Sequence, residues 1–202
     1  MTPFARAALV PIAGTFLAGC GFAASFAQGT PDSLSTWRDH PLPPDPALAA
    51  RAIAEGGPCR MDDPTDDVVE PVPQILVQDR RTQGAAAFLV QSPTHFGDCT
   101  VSTGSSGAGF GPPLGPMVGP LTIDDVSSGT LGDGEANVLG GRTNVPAASI
   151  VVVLKDGRNV VASVANGFWL AWWPDRNGIK ADQVIAFDGA GNALASVNVD
   201  VP

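Results

Sequence analysis

The chain has 202 residues, of which 44% are hydrophobic, and a formal net charge of −9 at pH 7. This length and hydrophobic content suffice for one medium domain or two small ones, and they exclude a chain that is disordered throughout. The acidic balance repels phosphate backbones, so nucleic acid is excluded as a partner.

The N-terminus has the pattern of an export signal. Arg6 is followed by an uncharged, mostly apolar stretch over residues 7–16, and this order is typical of a secretory signal peptide. The stretch ends in Leu-Ala-Gly-Cys at Cys20, which resembles the bacterial lipobox. We therefore predict a lipoprotein signal peptide over residues 1–19 and lipidation at Cys20, which anchors the mature chain to the cell membrane.

Two alternatives to lipidation stay open. The first is an uncleaved membrane-spanning anchor, because no charge occurs between Arg6 and Asp32 and such a span fits a bilayer. The second is a signal peptide without lipid, cleaved near Ala24 or Ala27. Each of them still predicts an extracytoplasmic location for the remainder of the chain.

The cysteine count supports export. Of three cysteines, Cys59 and Cys99 remain once Cys20 carries lipid, and an even pair in an oxidising compartment typically forms a disulfide. A loop of about 40 residues closed in this way contributes ~4 kcal/mol. The alternative is two free buried thiols. No metal site and no cofactor is predicted, because no third soft ligand lies nearby in the sequence.

The N-terminal half begins with a tether and a helix. Residues 20–44 are rich in Ala, Ser, Gly and Pro and are predicted as a tether, in which Trp37 is suited to dock on the folded part. Asp45 can cap a helix with Pro46 at its first position, and the helix is predicted to run to residue 55 and stop at the glycines that follow. The acidic residues within 60–73 indicate a solvated loop rather than an EF-hand calcium site.

Strands follow the helix, with turn signals between them. We predict strands over residues 74–79, 85–91 and 98–103, a flexible linker over residues 104–120, and weaker strands over residues 121–147 with turns at residues 132–134 and 140–141. The C-terminal stretch predicts further strands over residues 150–154, 160–165, 168–173, 184–187 and 193–199, with turns at Asp156-Gly157, Asn166-Gly167 and residues 188–192.

The aromatic strand at residues 168–173 presents two different faces. Alternation places Phe168, Leu170 and Trp172 on one face and Trp169, Ala171 and Trp173 on the other. The first face is predicted to be core. Trp169 and Trp173 are candidate binding residues that could stack sugars or peptides. The alternative, which we favour, is that both faces are covered by other parts of the chain.

One run carries a resemblance to other proteins. LKDGRNVVASVANGFWLAWWPDRNG, residues 154–178, is similar to a motif of exported actinobacterial proteins in which DG and NG turns lead to an aromatic strand ending in A-W-W-P. The resemblance covers residues 140–199, and residues 78–90 are similar with less specificity. The family is uncharacterised, so the resemblance implies a β fold and export but no activity, and it supplies no functional residues.

Catalytic patterns are weak in this sequence. The two histidines, His40 and His95, fall in the predicted tether and a loop, and the nucleophile elbow G-x-S-x-G is missing. We therefore do not predict an enzyme. The predicted fold is mainly β, sandwich-like and antiparallel, with one short N-terminal helix. Beyond the signal peptide and tether, it divides into a helix-plus-hairpin half at 45–120 and a sandwich-like half at 121–202.

The expected function is that of a non-catalytic cell-surface lipoprotein, an interaction or structural module of the envelope. Its partner would be another envelope protein or a cell-wall component. One alternative is a membrane-anchored sensory or regulatory protein, which requires the N-terminal segment to stay uncleaved. A second alternative is an enzyme with a site that its sequence does not reveal.

Overall fold

Short β-branched and aromatic runs separated by glycine turns form the strands of this chain, as the alternation and the turn residues predict. The computed structural model describes residues 34–60 and 71–199. Within these ranges the chain forms one α-helix and three four-stranded antiparallel sheets, which confirms the mainly β class. None of the helices described there is long and apolar enough to cross a membrane.

The helical elements are a 3₁₀ turn at Leu34–Thr36 and helix α1 at Pro46–Ile53. The strands are β1 Gln74–Arg80, β2 Ala86–Gln91, β3 Phe96–Val101, β4 Ser106–Gly111, β5 Asp125–Leu131, β6 Gly134–Arg142, β7 Ser149–Leu154, β8 Asn159–Val161, β9 Ser163–Ala165, β10 Phe168–Pro174, β11 Ala181–Phe187 and β12 Ala193–Asn198.

The sheets lie in three layers. The first sheet has the order β1-β2-β3-β4, the central sheet β5-β6-β10-β9, and the third sheet β12-β11-β7-β8. One apolar core joins the first sheet to the central sheet, and a second joins the central sheet to the third. The central sheet is therefore covered on both faces.

Helix α1 covers the outer face of the first sheet. The Asp45 carboxylate caps it by accepting hydrogen bonds from the backbone of Ala47 at 2.9 Å and Leu48 at 3.4 Å, as predicted. Cys59, beyond the helix, forms the predicted disulfide with Cys99 on β3, with a Cα–Cα distance of 5.3 Å. Both cysteines are fully buried, so the bond fastens the helical segment to the sheet from within.

Strand β10 has its side chains buried on both faces. Leu170 and Trp172 belong to the core shared with the first sheet, whereas Trp169, Ala171 and Trp173 belong to the core shared with the third. This confirms that both faces of the aromatic strand are covered. An apolar run on both faces is what a central layer requires.

The run at residues 159–165 differs from the single strand that its sequence predicts. Strand β8 pairs with β7 in the third sheet, whereas β9 pairs with β10 in the central sheet. The chain crosses between layers at the buried residue Ala162. The following turn at Asn166 (φ 53°) and Gly167 (φ 80°) has the positive angles of a tight hairpin turn, as predicted.

The described part of the predicted tether is packed against the body. Leu34 is buried and Trp37 contacts both cores. The Trp37 ring lies edge-on to that of Trp172, 6.5 Å between centroids, and its Nε1 donates to the Trp172 carbonyl oxygen at 3.2 Å. The docking of Trp37 is therefore confirmed, and from Leu34 onward the segment is part of the fold rather than a free tether.

A buried ion pair fastens the same segment. Arg81 and Asp79 are both fully buried, and Arg81 Nη2 donates to Asp79 Oδ2 at 2.7 Å. Arg81 also donates to the carbonyl oxygens of Asp39 and Val161, and its guanidinium lies 5.7 Å from the Trp37 ring centroid. Burial raises the pKa of Asp79 to about 6, although the positive charge of Arg81 opposes that rise. One side chain thus ties the N-terminal segment, the first sheet and β8 together.

Two glycine-rich stretches differ from their predicted structures. The predicted linker at 104–120 contains β4, which pairs with β3 along its whole length, so its low complexity conceals a strand. Gly140 and Gly141, predicted as a turn, lie inside β6. A Cβ on Gly141 would stand only 2.0 Å from the carbonyl oxygen of Thr122. Glycine is therefore needed there for close backbone approach and not for a turn.

The three-layer packing predicts that truncating a large side chain on either face of β10 lowers the stability of the fold by a similar amount. Trp169→Ala and Trp172→Ala each remove a fully buried ring, so each variant should lose about 3–5 kcal/mol of unfolding free energy. Urea denaturation measures this loss. Val164→Ala, at an exposed position on β9, is the control and should change stability by less than about 0.5 kcal/mol. If either tryptophan variant lost as little stability as Val164→Ala, one outer sheet would not cover β10.

Candidate functional site

The two binding residues predicted from the sequence lie inside the protein. Trp169 and Trp173 are 0% and 2% exposed, and their Nε1 atoms donate to the carbonyl oxygens of Thr122 and Ile179 at 3.2 Å and 2.9 Å. The hypothesis of an exposed stacking platform is therefore wrong, because the third sheet covers both rings. Cys20 lies outside the described residues.

Strand β5 is the part of the central sheet that the outer sheets do not fully cover. It forms one edge of the central sheet, and only its last residue, Leu131, is buried. Each face of β5 borders a cavity, one toward the first sheet and one toward the third. The candidate functional residues surround these two cavities.

Glycines open the first cavity, which we call the polar cleft. On β4, Gly107 and Gly109 stand opposite Thr100 and Asp98 of β3, and strand alternation turns all four toward the central sheet. Because the two glycines carry no side chain, a cavity of about 180 Å³ remains between them and β5. Asp98, Thr100 and Ser127 supply polar groups to its lining.

Asp98, in the lining of the polar cleft, forms a pair with a second carboxyl group. Asp98 of β3 is 3% exposed and interacts with Asp125 of β5 and with Ser127. Burial raises the pKa of Asp98, whereas hydrogen bonds from Ser127 and Asp125 oppose that rise. Burial, and then the negative charge and hydrogen bond of Asp98, raise the pKa of Asp125 to about 8. At neutral pH the two carboxyl groups therefore share one proton.

The neighbouring carboxylate of Asp124 is neutralised separately. Arg142 donates to it through Nε and Nη2, each at 2.9 Å, and Thr122 Oγ1 donates at 2.8 Å. Arg142 Nη1 also binds the Gly115 carbonyl oxygen at 2.8 Å. All these bonds of Arg142 go to the segment that leads into β5. The arginine therefore does not neutralise the pair formed by Asp98 and Asp125.

The second cavity, which we call the edge groove, lies between β5 and the start of β11, beside Val199 just after the end of β12. A space of about 170 Å³ has Val126, Asn137, Trp173 and Lys180 in its wall. Through Val126 and Val199 it continues into a shallower depression at Val118. Val126 and Val118 are 49% and 83% exposed, whereas Asn137 is 5% exposed. The amide nitrogen of Asn137 has no hydrogen-bond partner.

The histidines are placed away from a catalytic arrangement. His40 is exposed and bonds to Asp39 at 2.9 Å, and His95 lies in the turn between β2 and β3, where it bonds to Thr94. Across residues 34–60 and 71–199, no three His, Cys, Asp or Glu side chains are grouped to hold a metal ion.

Sequence reasoning missed both cavities. The available signal for the polar cleft was an aspartate in mid-strand beside a buried cysteine, followed by a strand with glycine at alternate positions. Comparison with known proteins gives no further guidance, because no family model, curated protein or solved structure matches this chain. The resemblance to exported actinobacterial proteins accordingly stays a prediction.

The raised pKa of Asp125 predicts a pH-dependent stability. The folded state holds a proton that the unfolded state releases near pH 4, so unfolding free energy should fall as pH rises from about 4 through about 8. The slope from one proton is at most about 1.4 kcal/mol per pH unit. Asp79, whose pKa is raised to about 6, adds to this fall in unfolding free energy only up to a pH of about 6.

Urea denaturation between pH 6.5 and 8.5 measures the contribution of the Asp98–Asp125 pair, because Asp79 titrates at lower pH. Asp125→Asn should flatten the pH dependence in this window, since the amide cannot ionise. Asp182→Asn removes the same charge at an exposed position on β11, so its unfolding free energy should depend on pH as that of the unmodified protein does. Parallel curves for the unmodified protein and Asp125→Asn would show that Asp125 ionises normally.

Proposed function

We propose that this protein is a non-catalytic, lipid-anchored module of the cell envelope that binds another envelope protein through the edge groove. The observation that carries the proposal is the groove itself, in which the exposed Val126 lies beside the buried amide donor of Asn137, which has no partner, and an adjoining depression adds the exposed Val118. The disulfide supports the location, because such bonds persist in oxidising compartments outside the cytoplasm.

The groove has the features of a protein-binding edge. Strands β5 and β12 are edge strands of their sheets, and an unpaired strand edge offers backbone donors and acceptors to an added strand. Val118 and Val126 offer apolar contact beside that edge. The natural occupant is therefore an extended peptide segment of the partner, which buries apolar side chains against these valines.

Asn137 specifies what the segment must provide. The residue is 95% buried, and its side-chain amide nitrogen donates to nothing in the described chain. A buried donor left unsatisfied costs about 1–3 kcal/mol. A peptide carbonyl oxygen of the partner would satisfy it, and Lys180 at the same wall favours an acidic group nearby.

The experiment uses a photo-crosslinking amino acid in intact cells. Placed at Val126, it should give a discrete adduct with one protein, because position 126 borders the groove. Placed at Val164, it should not, since that valine is 41% exposed but lies on β9, at the opposite edge of the same sheet. Asn137→Ala should abolish the adduct at 126 while thermal melts confirm that the variant folds. No adduct, or equal adducts from the two positions, would contradict the proposal.

The anchor is tested separately on the same strain. Cys20→Ser removes the thiol that would carry lipid, so palmitate labelling should be lost and the protein should be released or stalled in processing. If the unmodified protein and Cys20→Ser both stay in the membrane and neither is labelled with palmitate, the sensory alternative is favoured, because it requires an uncleaved anchor.

A further inference from the structure

We propose that the polar cleft is a binding site for a divalent cation of the Ca²⁺ type, with the carboxylates of Asp98 and Asp125 and the hydroxyl of Ser127 as its protein ligands. This site lies on the opposite face of β5 from the edge groove and does not depend on the function proposed for that groove.

The first argument is how the ligands converge. Asp98 belongs to the first sheet and Asp125 to the central sheet, so the two meet only because the layers stack. The two carboxyl groups are close enough for each to shift the pKa of the other, and the Ser127 hydroxyl is close enough to lower the pKa of Asp98. Two carboxylates and a hydroxyl on facing strands are oxygen ligands of the kind that hard cations take.

The second argument is the unsatisfied oxygen of Asp98. Asp98 as a residue is 97% buried, yet its Oδ1 accepts no hydrogen bond. A Cβ built on Gly109 would stand 3.4 Å from Oδ1, which places this oxygen on the glycine side of the cleft, facing the empty volume. Asp125 Oδ2 is also buried without a partner. Buried polar atoms normally have partners, so these oxygens indicate a missing ligand.

The third argument is charge. Neither carboxyl group forms a salt bridge with another described residue, and Arg142, which enters from the neighbouring strand β6, is committed to Asp124. The chain as a whole carries a net charge of −9. The charge left on the pair at neutral pH therefore has no cationic side chain beside it, and a divalent cation that binds there would displace the shared proton and take its place.

Size and ligand type select among cations. The cavity of about 180 Å³ accepts an ion with several waters, since each water takes roughly 30 Å³. Neither histidine nor cysteine lines it, which disfavours zinc and copper. Ca²⁺ tolerates irregular geometry and completes its shell with hydroxyl groups and water, and with only two charged ligands its Kd should be on the order of 10⁻⁴–10⁻³ M.

The test is calorimetric titration of the purified full chain with CaCl₂, accompanied by thermal melts. We expect one Ca²⁺ per chain and a higher melting temperature with about 10 mM Ca²⁺, well above the expected Kd. Asp98→Asn and Asp125→Asn should each weaken binding at least tenfold, roughly the effect of removing one charged ligand. Asp182→Asn, with the same charge change on an exposed strand position, should bind like the unmodified protein.

A second variant covers the case in which the asparagine variants fail to fold. Gly109→Ala places a methyl group in ordinary contact with Asp98 Oδ1, so the fold should tolerate it while the space beside the ligand oxygen shrinks and Ca²⁺ affinity falls. Failure to bind Ca²⁺ at about 10 mM, well above the expected Kd, or undiminished binding by folded Asp98→Asn, would overturn the proposal. Binding of methylammonium but not of Ca²⁺ would also overturn it, in favour of a site for organic amines.

Discussion

The constraint on which this structure depends is a strand that is apolar on both faces. A strand with three tryptophans among seven residues cannot leave either face in water without exposing several hundred Å² of apolar surface. The fold covers one face with the first sheet and the other with the third, and the indole nitrogens find acceptors within the core. The three layers, the switch of the chain at Ala162 and the docking of Trp37 all follow from covering β10.

The same constraint explains where the protein can bind anything. Coverage is complete at β10 and ends at β5, the edge of the central sheet. Toward the third sheet, this leaves valines and an amide donor without opposing side chains. Toward the first sheet, alternate glycines on β4 leave the carboxyl group of Asp98, which is coupled to that of Asp125, facing an empty volume. Both candidate sites thus arise because the outer layers fail to cover one edge strand, and neither requires a dedicated loop.

Local sequence signals predicted much of the fold. The DG and NG turns fixed the hairpins from β7 to β10, because positive φ angles at these positions strongly favour Gly and Asn, and the cap at Asp45 located the helix. Strand β4 was missed because its glycines look like a linker until β3 pairs with them. The carboxyl pair was missed for a different reason. Asp98 and Asp125 lie in different sheets, and nothing local to either residue indicates how two sheets stack.

Hydrogen exchange of the native protein tests the three-layer account most directly. If both faces of β10 are covered, the amides of residues 168–173 open only with global unfolding. They should then exchange more slowly than any other strand, and far more slowly than β12, which is an edge strand. Exchange of β10 at the rate of β12, through an opening that leaves the disulfide-linked first sheet protected, would contradict the central position of this strand.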